Sequence, residues 1–278
     1  LVLLNNQGRF KARLEGPVSG NILLRQAQHR LALDEKFALG IAHSAIAGKL
    51  RNSRQVLLRG AREAGDAEDS NALAAAAETL SNSLRNLPHA SDLGVVRGIE
   101  GDAAKNYFAA LPLLVRREAR DKFTMDGRTR RPPRDRFNAL LSFLYSMLMN
   151  DCRSALEAVG LDPQLGFLHT VRPGRAALAL DLMEEFRAIF ADRLALTLIN
   201  RGQIGPNDFS EREGGAVLLE GDARRTVVTA YQERKQEEVI HPLLETKVPI
   251  GLLPLLQARF MARTLRGEME GYLPFLYR

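Results

Sequence analysis

The chain has 278 residues, of which 45% are apolar and 26% charged, with a net charge of +6. That composition is globular and leaves room for one large domain, or one domain with a small appendage. A single cysteine, Cys152, excludes an intrachain disulfide and a cysteine-cluster metal site. The longest apolar runs, such as Leu111 to Val115, are too short to span a bilayer, and no leader pattern precedes them, so a cytoplasmic protein without membrane attachment is expected.

In chain order, Phe10, Ala12 and Leu14 alternate with Arg9, Lys11 and Arg13, the period-two pattern of a half-buried strand. Asn5, Asn6 and Gly8 separate this run from Leu1-Val-Leu-Leu4 and predict a hairpin turn. An isolated hairpin is not stable in water, so residues 1–17 are expected to be the remnant of a larger β domain. Gly16-Pro-Val-Ser-Gly20 reads as a linker. From Asn21 the apolar spacing turns helical almost throughout, and residues 18–278 are expected to form a mainly α domain.

Within that domain, Asp66 to Asn71 reads as a break and Ala72 to Leu84 as a helix. Ser91 is the expected N-cap of a helix that Pro112 ends at Leu111. Phe137 to Val159 reads as one long buried helix and Arg175 to Asn200 as another. Beyond them come a short strand at Ala216 to Leu219, a helix from Asp222 to Val239, an irregular stretch to Ile250 and a last helix from Leu252 to Met269.

The positive charge is concentrated. Between Arg116 and Arg136 stand nine basic residues (Arg116, Arg117, Arg120, Lys122, Arg128, Arg130, Arg131, Arg134, Arg136) against four acids, a local balance of +5. Such a segment suits a phosphate backbone, and a solvated loop fits the charge equally well.

Three acidic positions carry candidate chemistry. Glu100 shares a helix face with Val96, Ala103, Ala104 and Tyr107, where a carboxylate is costly unless neutralised. Gly98 and Gly101 beside it give up helix propensity where bulk would block close approach. Asp181 and Glu184, three residues apart with Glu185 next to them, put like charges on one helix face and call for a cation. His169 lies a short loop before that pair. An imidazole with carboxylates suits Mg²⁺ or Mn²⁺. Salt bridges to Arg187 or Arg193 account for the same acids without a metal.

These residues sit in four ordered motifs. Val96-Arg-Gly-Ile-Glu100-Gly-Asp-Ala-Ala-Lys-Asn-Tyr-Phe108, Arg131-Pro-Pro-Arg-Asp-Arg-Phe-Asn-Ala-Leu-Leu-Ser-Phe-Leu-Tyr145, Gly166-Phe-Leu-His169 and Leu180-Asp-Leu-Met-Glu-Glu-Phe-Arg187 resemble, in order and spacing, the signatures of the CRISPR-associated protein one family, the universal CRISPR adaptation integrase. The resemblance runs from Arg9 to the end of the chain. It implies that Glu100, His169 and Glu184 ligate a Mg²⁺ or Mn²⁺ ion, with Asp181 as the accompanying acid. It also implies an activity, the joining of 3′-hydroxyl ends of a short double-stranded DNA fragment into the CRISPR repeat by transesterification, with associated endonuclease activity. A homodimer, a small ferredoxin-like CRISPR-associated partner and DNA contacts from the basic segment are further implications.

His241-Pro-Leu-Leu244 and Tyr272-Leu-Pro-Phe-Leu-Tyr-Arg278 resemble the type I-C-like subtype, in which adaptation also uses an iron–sulphur nuclease. Where the family commonly has Pro after Phe186-Arg187, Ala188 stands here. A stand-alone structure-specific nuclease and a catalytically degenerate helical DNA-binding scaffold remain alternative readings of the same residues.

Overall fold

The computed structural model describes residues 2–5, 10–13 and 21–277. Strands β1 (Val2–Leu4) and β2 (Phe10–Arg13) pair antiparallel, Val2 opposite Arg13, as the alternation predicts. The expected turn at Asn6 to Gly8 and the linker at Gly16 to Gly20 lie outside the described residues.

Helix α1 (Ile22–Ala32) leads into α2 (Glu35–Glu63), α3 (Ala67–Asn86) and α4 (Leu93–Ala110). An aspartate caps each of the last three: Asp34 accepts from the Phe37 amide at 3.0 Å, Asp66 from Asp69 at 2.9 Å, and Asp92 from Gly94 and Val95 at 2.7 and 3.0 Å. Helix α3 therefore starts inside the stretch read as a break. Ser91 serves the cap at one remove, its hydroxyl bonding Asp92 at 3.1 Å. A single turn, α5 (Arg117–Arg120), precedes the long helix α6 (Arg136–Ala158), capped by Asp135.

The predicted helix over Arg175 to Asn200 is divided. Helix α7 (Ala177–Met183) gives way to a short turn, then to a π-helical stretch, Arg187–Asp192, and only then to α8 (Arg193–Asn200). The apolar spacing is helical throughout, so the sequence pattern does not show the extra residue per turn that a π-helix takes up.

Two hairpins follow. Strand β3 (Phe209–Arg212) pairs with β4 (Ala216–Leu219), and after α9 (Gly221–Gln236), β5 (Glu238–His241) pairs with β6 (Thr246–Pro249). The second hairpin occupies ground expected to be helix end and irregular chain; Glu245, at φ 52°, makes its turn. Helix α10 (Leu253–Leu265) ends four residues short of the expected Met269, its end reinforced by the Glu268 amide bonding the Arg263 carbonyl.

Helices α2, α3 and α4 form one packed layer, while α6 anchors a second with α7, α8 and α10. α2 crosses both, touching α7 and the π-helical stretch. Among the described residues no helix is long and apolar enough to cross a membrane.

Candidate metal centre

The seam between the two layers gathers the charged residues that the sequence singles out. On α2, Lys49 sits on the inward stripe with Ile46, Leu50 and Ser53. A buried ammonium needs a counter-charge, and it has two: Lys49 Nζ donates to Glu100 Oε1 on α4 and lies 2.8 Å from Glu184 Oε2 at the end of α7. Arg187 reaches Glu184 Oε1 at 2.9 Å from the other side. Burial alone would raise the Glu184 carboxyl, but the Arg187 guanidinium, the Lys49 ammonium and the His169 imidazole bring it down to about 2.

His169 enters from the loop between α6 and α7. Its Nε2 stands 3.8 Å from Glu184 Oε1, and its Nδ1 lies 2.6 Å from Asp181 Oδ1. Asp181 also accepts the backbone amides of Phe167, Leu168 and His169 at 2.6, 3.0 and 3.0 Å. An ionised carboxylate only accepts, so Nδ1 carries a proton toward Asp181, and Nε2 is the ring nitrogen turned to Glu184. The loop can fold this way because position 166 has no side chain. A Cβ there would lie 2.6 Å from Asp181 Oδ2 and 2.7 Å from the Ala177 carbonyl carbon.

Several expectations change. Asp181 and Glu184 take different main partners: Asp181 ties down the His169 loop, while Glu184 faces Lys49 and Arg187, the latter being one of the two salt-bridge partners expected from the sequence. Glu185 points away from both. It accepts from Tyr272 Oη, the Phe275 amide and Gln257 Nε2, and burial holds its carboxyl up to about 8 despite those three donors. Arg193 is not the compensating cation either, since it bonds Tyr277 Oη at 2.6 Å. Gly98 and Gly101 make no close approach: a Cβ at either would meet nothing within 4 Å. They leave the outer face of α4 bare beside Glu100, whose side chain is 26% exposed.

The basic segment divides in two. Arg120 is bidentate to Asp69 at 3.0 and 2.7 Å and also bonds the carbonyls of Leu113 and Val115. Arg128 turns inward to Asn138 Oδ1 at 2.7 Å and Ser142 Oγ at 3.0 Å, with its guanidinium 5.2 Å from the Tyr145 ring centre. Both hold the protein together. Arg116, Arg117, Lys122, Arg130, Arg131, Arg134 and Arg136 stay at least partly exposed. Of these, Arg117 is paired to Asp66, while Arg134 and Arg136 bond the Gly214 and Lys122 carbonyls.

Lys49 is a site residue that the sequence motifs do not single out. Its signal is positional: it follows Ala45 by four residues, precedes Ser53 by four, and so places a lysine on the apolar stripe of a long helix. Tyr107 and Tyr145 belong to the same neighbourhood. Both donate to Asp192, at 2.9 and 2.6 Å, and Arg187 lies 4.8 Å from the Tyr145 ring centre.

Two carboxylates that already close on one cation, with an imidazole beside them, form a donor set suited to a hard divalent ion. Glu184 Oε2 is consistent with this, being buried without a directed hydrogen bond although Lys49 Nζ is near. As arranged around the ammonium, no three His, Cys, Asp or Glu side chains among the described residues close to the spacing of a metal cage.

A two-layer helical fold whose seam presents acids and an imidazole beside an exposed basic segment defines a protein equipped for phosphate chemistry. The chain belongs to the Cas1 family: the family model for CRISPR associated protein Cas1 matches residues 1–233. It is 58% identical over 278 residues to CRISPR-associated endonuclease Cas1 1 of Moorella thermoacetica, covering 100% of this chain and 81% of that protein. A CRISPR-associated exonuclease Cas4/endonuclease Cas1 fusion of Rhodospirillum rubrum is 40% identical over 260 residues, 93% of this chain and 43% of the fusion.

Among solved structures, a casposase bound to integration product superposes with TM-score 0.83 at 25% identity, covering 100% of this chain and 75% of the other. A chain of a Cas6-RT-Cas1–Cas2 complex also gives TM-score 0.83 at 25% identity, covering 100% of this chain and 29% of its own length.

Proposed function

We propose that this chain is a metal-dependent integrase and endonuclease of CRISPR adaptation, with Glu100, His169 and Glu184 as the ligands of a Mg²⁺ or Mn²⁺ ion. The observation that carries this is the meeting of Glu100 and Glu184 on one cation, with His169 Nε2 turned toward Glu184. A divalent ion held there would polarise a phosphodiester and stabilise an attacking or leaving oxygen.

The protein's own residues do the rest. Asp181 fixes the ring and tautomer of His169 and is a positioning residue. Arg187 fixes Glu184 and keeps it ionised. The exposed basic residues from Arg116 to Arg136 hold a double-stranded DNA backbone, which positions the duplex without reading its bases. The bare face of α4 at Gly98 and Gly101 gives a strand room to reach Glu100.

The casposase was captured with an integration product, and the curated relatives are named as endonucleases. Both outcomes are displacements at a phosphodiester, transesterification when a DNA hydroxyl attacks and expels the strand's 3′-oxygen, and hydrolysis when water does. We further propose that residues 1–17 are the close of a β-rich dimerisation domain and residues 18–278 the catalytic unit. The partners we expect are a second copy, a small ferredoxin-like CRISPR-associated protein and an iron–sulphur nuclease; a solved Cas6-RT-Cas1–Cas2 complex and a Cas4/Cas1 fusion support assembly with further CRISPR-associated proteins.

The test is strand transfer. A labelled DNA fragment with free 3′-hydroxyls, incubated with Mn²⁺, the small partner and a repeat-bearing plasmid, should become covalently joined to it. Glu184→Ala and His169→Ala should lower joining by about a hundredfold or more. Cleavage of branched DNA with no joined product would leave a stand-alone nuclease, DNA binding with neither joining nor cleavage would leave a scaffold, and joining unchanged in both variants would overturn the ligand assignment.

A further inference from the structure

Lys49 stands where an incoming cation would have to act. Its ammonium bonds Glu100 and lies 2.8 Å from Glu184, the two carboxylates that the proposed function assigns to the metal. Its side chain is only 11% exposed, so it is packed into this position and does not wave at the mouth of the site. We propose that Lys49 is a built-in counter-cation that holds the carboxylates while no metal is bound and is displaced when a divalent ion enters. The inference rests on the metal-site reading and adds an exchange of cations to it.

Charge supports the exchange. Lys49 is the cation that Glu100 and Glu184 have in common, and a divalent ion between the same carboxylates would take over that role with Arg187 unmoved. Two positive centres between the same carboxylates would repel strongly in so dry a site. Geometry supports it as well. The ammonium sits between the two carboxylates, so an ion that took its place would meet oxygens of both. Lysine suits the role because its charge sits on a flexible four-carbon stem that can withdraw without moving α2. No bond is made or broken and no proton moves; one cation replaces another.

The experiment uses the whole chain and two readouts that need no DNA. Free Mn²⁺ is followed by electron paramagnetic resonance during titration of the wild type, Lys49→Met, Lys49→Gln and Glu184→Gln. Removing the tethered competitor should tighten Mn²⁺ binding about tenfold in both Lys49 variants, and the thermal midpoint in EDTA should fall while the rise on adding Mn²⁺ grows. In the wild type, acetylation of Lys49 by an N-hydroxysuccinimide ester, read by mass spectrometry, should be slow in EDTA and several-fold faster with saturating Mn²⁺.

Lys49 variants that bind Mn²⁺ no more tightly than wild type, or a wild-type Lys49 whose labelling ignores Mn²⁺, overturn the exchange. If the variants do not fold, the labelling experiment decides alone. The metal-site reading fails separately, when Glu184→Gln binds Mn²⁺ as the wild type does.

Discussion

Glu184 and Glu185 are neighbours in the chain and opposites in environment. The first is depressed to about 2 by two cations and an imidazole, the second raised to about 8 in a pocket that offers hydrogen bonds but no charge. What a carboxylate can do here is set by its partners. Asp181 makes the same point: with three backbone amides and one imidazole to satisfy, its removal affects a whole loop. Asp181→Ala should cost about 3 kcal/mol of stability, read by chemical denaturation. It should also weaken Mn²⁺ binding about ten- to a hundredfold, read by titration.

Asp192 gives a prediction in pH. Burial raises its carboxyl to about 6, against the opposing hydrogen bonds from Tyr145 and Tyr107. An acid held above its unfolded value stabilises the fold in its protonated form. That contribution is complete below about pH 4 and is lost as pH rises through about 6. The thermal midpoint of the wild type should therefore fall relative to Asp192→Asn between about pH 4.5 and 7. Parallel midpoints across that range would refute the assignment.

At the scale of elements, the basic segment shows how far a charge run can be read. Nine basic residues suggest one surface, yet Arg120 and Arg128 are consumed inside the protein. Arg128 lies near the Tyr145 ring, and so does Arg187, which holds Glu184, so the segment is tied mechanically to the seam. Arg128→Ala should cost about 2 kcal/mol, because Asn138 and Ser142 lose a buried partner. Arg130→Ala with Arg131→Ala should leave the thermal midpoint within about 2 °C of wild type. That double variant should weaken DNA binding and flatten its salt dependence by about one unit for each phosphate no longer neutralised, read by fluorescence anisotropy at several salt concentrations.

The long helices are legible in the sequence because apolar residues recur at helical spacing over many turns, as on α6. Strands β3, β5 and β6 are not, since Phe209-Ser-Glu-Arg212 and its counterparts are only four residues long and at least half polar. Glu100 and Glu184 are legible as charges on apolar faces. His169 is legible only through its motif, because the group that orients it is Asp181, 12 positions later. Lys49 is hidden by the regularity of the helix that carries it.

Across the whole molecule, the site exists only because two layers meet. Lys49 and Glu100 come from one, Asp181, Glu184 and Arg187 from the other, and His169 from the loop leading into the second. The second layer is braced from behind by Glu185 and Asn52, which hold the segment around Phe275 and Tyr277 against α2.

The π-helical stretch between Glu184 and α8 gives this seam slack in chain length. A π-helical turn takes up one residue more than an α-helical turn, so Arg187–Asp192 carries an extra residue without turning α8 out of line. Removing one residue there, Ala188 for example, lets the stretch return to ordinary helical pitch with α8 nearly in place. Removing one from the regular turns of α8, Ala195 for example, meets no such slack and turns everything after it by about 100°. The Ala195 deletion should therefore lower the thermal midpoint far more than the Ala188 deletion, a comparison that differential scanning fluorimetry makes directly.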